Sequence, residues 1–435
     1  MSAPSTPAAP TDSRRYHIRP LTLLSLLAGR GTYRLVQLLT TVLLLMAWGE
    51  PRYQVYAAAM SSFSWLTALV FTGPEKTVLK LLPRAPRTGP MITEALLAVV
   101  WLMPIPLVVA FAVSLGLWGE AVATIYLGVA AMLLGSGCTM LLVGLHRALG
   151  RPWPDVGSFL VLSLLQVGLL AACLAGWLGP PGYITAVIVT QSVVNAVLAV
   201  QLGRPTLRIR HRAGYLRRII WTVVLMSGGE VCVYLSSGVM FNLLAFSRWS
   251  WQLSQLFVVI TVWSVAFNLL LYVLRVFAPR VSLRLAGRAS RSGRQRAARV
   301  ASGVVVADVA WLALAGWGLS QFDLAAVTAK AGFVFWAALM VSRAPAMMIL
   351  AWAGYLLENT DARAPRITGL AAAVNLGITA LVGMVAVPAW GGVGIVVGLA
   401  VAELGQAVVL ALGARGGFGR WRLAPASPFT GSVRA

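Results

Sequence analysis

Arg30 and Arg34 stand four residues apart in an otherwise apolar stretch, Leu21 to Trp48, and Gln37 and Thr41 continue the same face at helical spacing. Two guanidinium groups on one face of an apolar helix are suited to anion chemistry, because each offers forked donors and no acceptor. Arg30 lies about 14 Å beyond Leu21 at helical rise. Either the pair forms the wall of an anion-binding cavity, or the helix enters the membrane later and both side chains reach the headgroups. Farther along, Ser227, Glu230, Tyr234 and Ser237 share a helix face, with Gly228 and Gly229 beside the carboxylate. Ser254, Thr261, Ser264, Asn268, Tyr272 and Arg275 fall within about one 80° sector at 100° per residue. Such a stripe would be wasted against lipid, so it lines a cavity or bonds to neighbouring helices. Asp308, Arg343 and Glu403 are three further charges in apolar runs. They are expected either to pair as structural ions or to form a proton or cation coupling site. Lys330 is expected to snorkel, and Pro104 with Pro106 to kink a helix.

The elements that must position these residues follow from composition. Of 435 residues, 59% are hydrophobic and 11% charged, with 35 Lys and Arg against 12 Asp and Glu, a net charge of +23. Soluble domains carry about 25% charged residues. The composition therefore excludes an ordinary soluble enzyme or a nucleic-acid-binding domain and marks a multispan membrane protein. Cys138, Cys173 and Cys232 sit in apolar runs without ligand spacing, so neither a metal centre nor a disulfide framework is expected, and no cofactor motif is present. Residues 1–20 read as a disordered cytosolic tail without a cleavage site.

Twelve apolar runs of membrane-spanning length can be placed: Leu21–Trp48, Tyr53–Thr72, Met91–Leu117, Ala121–Leu145, Val156–Leu178, Tyr183–Leu202, Ile219–Phe246, Trp251–Phe277, Val300–Leu319, Ala325–Leu357, Ile367–Val387 and Gly391–Leu412. This placement puts 29 basic residues in segments on one side of the membrane and two, Arg52 and Arg248, on the other. The asymmetry predicts both termini in the cytosol of a multi-pass inner (plasma) membrane protein, with anionic lipids attracted to the basic side. Trp48, Trp118, Trp177, Trp249, Trp317 and Trp390 mark the six opposite turns, where an aromatic belt is expected. Those turns are too short for a catalytic domain, so the chain reads as a non-enzyme. The spans divide into bundles at 21–202 and 219–412, joined by a basic linker at 203–218 and followed by a basic tail at 413–435. The expected fold is an all-α integral membrane protein of about twelve helices, in two six-helix bundles around a central cavity.

Three stretches carry a family resemblance. GEPRYQVYAAAMSSFSWLTALVFTGPEKTVLKLLPR, from Gly49 to Arg84, resembles the first outer turn and second helix of polysaccharide flippases in the multidrug/oligosaccharidyl-lipid/polysaccharide (MOP) exporter superfamily. GLHRALGRPW, from Gly144 to Trp153, is similar to the turn after their fourth helix, and AAAVNLGITALVGMVAVPAWGGVGIVVGLAVAEL, from Ala371 to Leu404, to their closing pair. The resemblance implies two bundles that alternate access and a basic cavity for the phosphate of a polyprenyl-linked sugar. The glycine/aspartate/basic signature of major facilitators is absent between Pro83 and Met91.

The expectation is a flippase-like exporter of an anionic lipid-linked saccharide. Arg30, Arg34 and Arg343 would meet the phosphate, while Gln37, Ser264 and Asn268 would meet the sugar. Glu230 or Asp308, with Glu403 near, would serve coupling or ion pairing. A drug/cation antiporter of the same superfamily and a non-transporting scaffold of an envelope-assembly complex are the alternatives. Neither a nucleic-acid partner nor an oligomeric state is assigned.

Overall fold

A computed structural model describes residues 20–81, 89–203, 213–285, 290–321, 333–360 and 364–416. The terminal tails, most of the basic linker, Lys330 and Arg363 lie outside the described residues. Among the described residues eleven α-helices follow in order: α1 (Pro20–Leu81), α2 (Gly89–Leu102), α3 (Pro104–Trp118), α4 (Val122–Ala148), α5 (Trp153–Leu174), α6 (Pro180–Leu202), α7 (Ala213–Ala245), α8 (Leu253–Arg284), α9 (Ser290–Ser320), α10 (Phe333–Glu358) and α11 (Ala364–Ala414). Among the described residues, ten helical stretches are long and apolar enough to cross a membrane.

Two of these stretches are hairpins. In α1 the backbone leaves helical geometry at Gly49, with φ 73° and ψ 166°. Trp48 and Tyr56, eight residues apart, then meet with ring centroids 5.5 Å apart, whereas eight residues of straight helix would separate them by about 12 Å. In α11 the break is at Gly391, φ 55°, and Gly394 folds back onto the Ala386 carbonyl. Positive φ suits glycine because a Cβ would collide with the backbone there. Counting both arms of each hairpin, and α2 with α3 as one crossing, the described chain makes twelve passes. The expected kink is the α2/α3 break at Met103, just before Pro104, which has no N–H to continue the helix.

Within the first half α1 packs on α4 and α5, α4 on α3 and α6, and α5 on α6; within the second, α11 packs on α7, α9 and α10, and α10 on α8 and α9. Alanines Ala297, Ala298, Ala301, Ala353, Ala371 and Ala407 fill the α9–α10–α11 core, since small side chains let helices approach where lipid supplies no hydrophobic drive. The halves meet through α1 against α7 and α8. There Gly73 abuts α7: an added Cβ would sit 2.6 Å from the Val223 carbonyl oxygen. Nearer the turn at Gly49, Asn242 Nδ2 donates to Ser62 Oγ at 2.9 Å. Stripes such as Val109, Val113 and Leu117, or Val189, Val193 and Val197, are exposed and face where lipid would be.

Of the tryptophans expected in an aromatic belt, Trp118, Trp177 and Trp317 are well exposed. Trp48 departs from this pattern. It is buried, edge-on to Tyr56 and Tyr183, and its Nε1 donates to the Leu178 carbonyl at 3.4 Å. The hairpin at Gly49 turns its ring inward, which the sequence pattern of an outer tryptophan could not reveal.

Gly391→Ala tests the second hairpin. A side chain at φ 55° would also meet Gln252 Oε1 at 2.7 Å. The left-handed backbone alone costs about 1–2 kcal/mol, so the variant should melt at lower temperature in detergent than Gly416→Ala, where nothing lies within 4 Å of the added methyl despite a φ of 91°.

Candidate functional site

The first arm of α1 rises from the basic face, the side bearing the basic segments, and brings Arg30 to the junction of the halves. Its guanidinium donates from Nε to Asp155 Oδ1 at 3.1 Å and from Nη2 to Oδ2 at 3.4 Å. It lies over the Tyr272 ring at 4.0 Å and faces Phe159 at 5.1 Å. Asp155 is fully buried in the first turn of α5. It also faces Arg147 Nη1 at 3.5 Å and accepts from the Tyr272 hydroxyl at 3.3 Å. Arg147 in turn pairs with Glu75 near the end of the second arm of α1. Arg30, Asp155, Arg147 and Glu75 thus form a neutral chain of alternating charge through α1, α5 and α4, capped by Tyr272 of α8.

Beside this chain is a small cleft lined by Arg30, Tyr33, Arg34, Phe71, Met140, Phe159, Asn268, Leu269 and Tyr272, with about 20 Å³ of space, room for a water or two. It lies between the halves, and its described lining residues include two arginines and no carboxylate. Arg34 donates to Gln37 Oε1 at 3.0 Å, and Asn268 Nδ2 donates to the Ser264 carbonyl at 2.7 Å. The cleft is closed on both sides by contacts between halves. Toward the basic face Leu26 packs with Tyr272 and Val276; toward the opposite face Tyr53 meets Phe257, ring centroids 6.3 Å apart.

Arg30, Arg34 and Asn268 therefore converge as the sequence suggested, with Gln37 one contact away. Ser264 does not line the cleft; its hydroxyl bonds to the Thr261 carbonyl of its own helix at 2.8 Å. Arg343 is not there either. It is 3% exposed inside the second half, donating to Asp308 Oδ1 at 2.8 Å and pairing with Glu403, with its guanidinium 4.9 Å from the Trp311 ring. The reason is geometric: α10 packs against α8, α9 and α11, and the face that carries Arg343 meets α9 and α11, where Asp308 and Glu403 lie. Glu230 joins neither group. It pairs with Lys76 at 2.8 Å, and Lys76 also reaches Glu358 at 2.9 Å.

Sequence reasoning missed Asp155, Glu75, Arg147 and Lys76 because all four lie near span ends and read as headgroup-facing charge. Acids were rare enough to have raised the question: with 12 in the chain, a carboxylate in the Trp-Pro-Asp start of α5 and a Glu-Lys pair ending the second span were conspicuous beside buried arginines.

Nothing among family models matches the sequence, and nothing matches among curated proteins. Solved structures do match by fold. A MOP superfamily transporter from Pyrococcus furiosus aligns with TM-score 0.57 and 12% identity over 93% of this chain and 97% of that one. The eukaryotic MATE transporter AtDTX14 aligns at 0.55 with 16% identity over 92% and 94%. A multidrug resistance MATE family transporter in its outward-facing conformation aligns at 0.57 with 12% identity over 93% and 97%. The chain is an all-α, multi-pass membrane protein with the fold of MATE transporters of the MOP superfamily.

The Arg343 cluster yields a stability prediction. Arg343→Met leaves Asp308 and Glu403 buried without their cation, a loss of about 3–5 kcal/mol by analogy with broken buried pairs. Adding Asp308→Asn and Glu403→Gln should recover most of it. Thermal unfolding of the purified single and triple variants checks both outcomes.

Proposed function

We propose that the protein is a membrane transporter that exports an anionic, lipid-linked saccharide by rocking its two halves about the cleft. The observation that carries this reading is the polarity of the cleft, two arginines and no carboxylate among its described lining residues. A phosphate would find charge-assisted donors there in a site of low dielectric, whereas a lipophilic cation would find no carboxylate among the described lining residues. Tyr33, Asn268 and Tyr272 offer the amide, hydroxyl and ring surfaces that sugars use. Pocket polarity varies on this fold: for the Pyrococcus furiosus transporter, a reversed polarity of the binding pocket is reported to suggest a different function.

In this reading the basic face is cytosolic by the positive-inside rule. The lipid-linked anion enters from the leaflet on that side, its headgroup against Arg34 and Arg30, and leaves toward the opposite leaflet. Asp155 holds Arg30 in place through its two N–H donors, and the flanking rings of Tyr272 and Phe159 keep water from its faces. The Asp308–Arg343–Glu403 cluster lies away from the cleft and is assigned to ion pairing within the second half. Fold relatives named for multidrug resistance make cation export the competing reading.

Proteoliposomes separate the two. With a fluorescent polyprenyl-phosphate-linked monosaccharide, the wild type should move the probe between leaflets. Arg34→Ala should slow it by about tenfold or more, the scale of one charge-assisted hydrogen bond. Movement of tetraphenylphosphonium without movement of the anionic probe, or an Arg30→Ala/Arg34→Ala variant as fast as wild type, would overturn the proposal.

A further inference from the structure

The Lys76 triad joins the two halves of the molecule. Lys76 belongs to the second arm of α1, Glu230 to the middle of α7 and Glu358 to the last residue of α10. The ammonium sits 2.8 Å from Glu230 Oε1 and 2.9 Å from Glu358 Oε2, and donates to Glu358 Oε1 at 3.2 Å. All three side chains are mostly buried, between 15% and 20% exposed. The second arm of α1 runs toward the basic face and α7 runs away from it. Side chains on a helix lean toward its N-terminus, so antiparallel directions aim Lys76 and Glu230 at each other over more than a turn of helix.

Lys76 is also held rigidly by its own half. Its neighbour Glu75 is buried and pairs with Arg147 of α4, which faces Asp155, the partner of Arg30. One turn back, Gly73 lets the arm lie against α7 at Val223 and Ser227. The Pro74-Glu75-Lys76 turn therefore moves with the first half, while both carboxylates that grip Lys76 move with the second.

From this placement we infer that Lys76, Glu230 and Glu358 are an ionic clamp between the halves that keeps the basic-face entrance shut. The inference rests on the two halves rocking, as proposed above, and not on the identity of the cargo. The physics makes the clamp two-state. Closed, the ions attract strongly because water is largely excluded; once the halves part, water enters and raises the local dielectric, so the attraction collapses and the open state is not pulled back. The triad is joined to the cleft through adjacent residues of one turn, Lys76 gripping the far half and Glu75 the chain that ends at Arg30. Glu230, which the sequence offered as a coupling carboxylate, takes in this proposal the part of a clamp acid.

The test reads accessibility and needs no cargo. An Asn268→Cys reporter places a thiol in the cleft of full-length protein carrying Cys138→Ala, Cys173→Ala and Cys232→Ala. A membrane-impermeant maleimide is applied from the basic face or the opposite face of oriented vesicles. Lys76→Ala should raise labelling from the basic face by about tenfold, a shift of roughly 1.4 kcal/mol toward the open state, with no rise from the opposite face. The reversed set Lys76→Glu/Glu230→Lys/Glu358→Lys should return labelling toward the parent rate. Should Lys76→Ala fail to fold, Glu230→Gln/Glu358→Gln is expected to give the same opening. Unchanged labelling, an equal rise from both faces, or a charge reversal that does not restore closure would overturn the clamp. If the clamp holds while the saccharide probe is not moved, the cargo assignment alone falls.

Discussion

Charge neutralisation in a space without water governs this molecule. An ion in a hydrocarbon-like interior is tolerated only when opposite charge and hydrogen bonds replace its hydration. The described chain meets that demand in three places. Arg30 pairs with Asp155 and Arg147 with both Asp155 and Glu75 near the cleft, Lys76 pairs with Glu230 and Glu358 across the halves, and Arg343 pairs with Asp308 and Glu403 inside the second half. Each set draws its members from three helices, so each also fixes how those helices sit relative to one another.

The three sets differ in what they fasten. The Arg343 set lies within one half and is the driest. The Arg30 set lies mainly within the other half but touches α8 through Tyr272, so it borders the junction. The Lys76 set crosses the junction outright. The rocking proposed above would need strong interactions inside each half and reversible ones between them. Here the interior of the second half rests on small alanine contacts and a dry ion triad, while the junction uses close packing at Gly73, the Ser62–Asn242 hydrogen bond and the ion pairs of Lys76, which are 15% to 20% exposed.

Much of this was legible in the sequence. Helix existence followed from apolar runs of sufficient length, and the placed spans agree with the helices to within a few residues at most ends. The kink before Pro104 and the glycine turns at Gly49 and Gly391 carried local signals, a missing N–H and a missing Cβ. The convergence of Arg30, Arg34 and Asn268 was partly readable, since one helix face placed the arginines together and another placed Asn268 on a polar stripe. The ion partners were not. A basic residue near a span end, such as Arg147 or Lys76, looks the same in sequence whether it faces headgroups or a buried carboxylate.

What the sequence determined by itself is the class of solvent this chain folds in and which of its runs are long and apolar enough to cross a membrane. Those follow from transfer free energies that each segment carries alone. Tertiary structure decided which charges are partners. That depends on which helices become neighbours and how they are rotated, and no residue encodes its distance to a carboxylate more than a hundred positions away, as between Arg30 and Asp155 or Lys76 and Glu358.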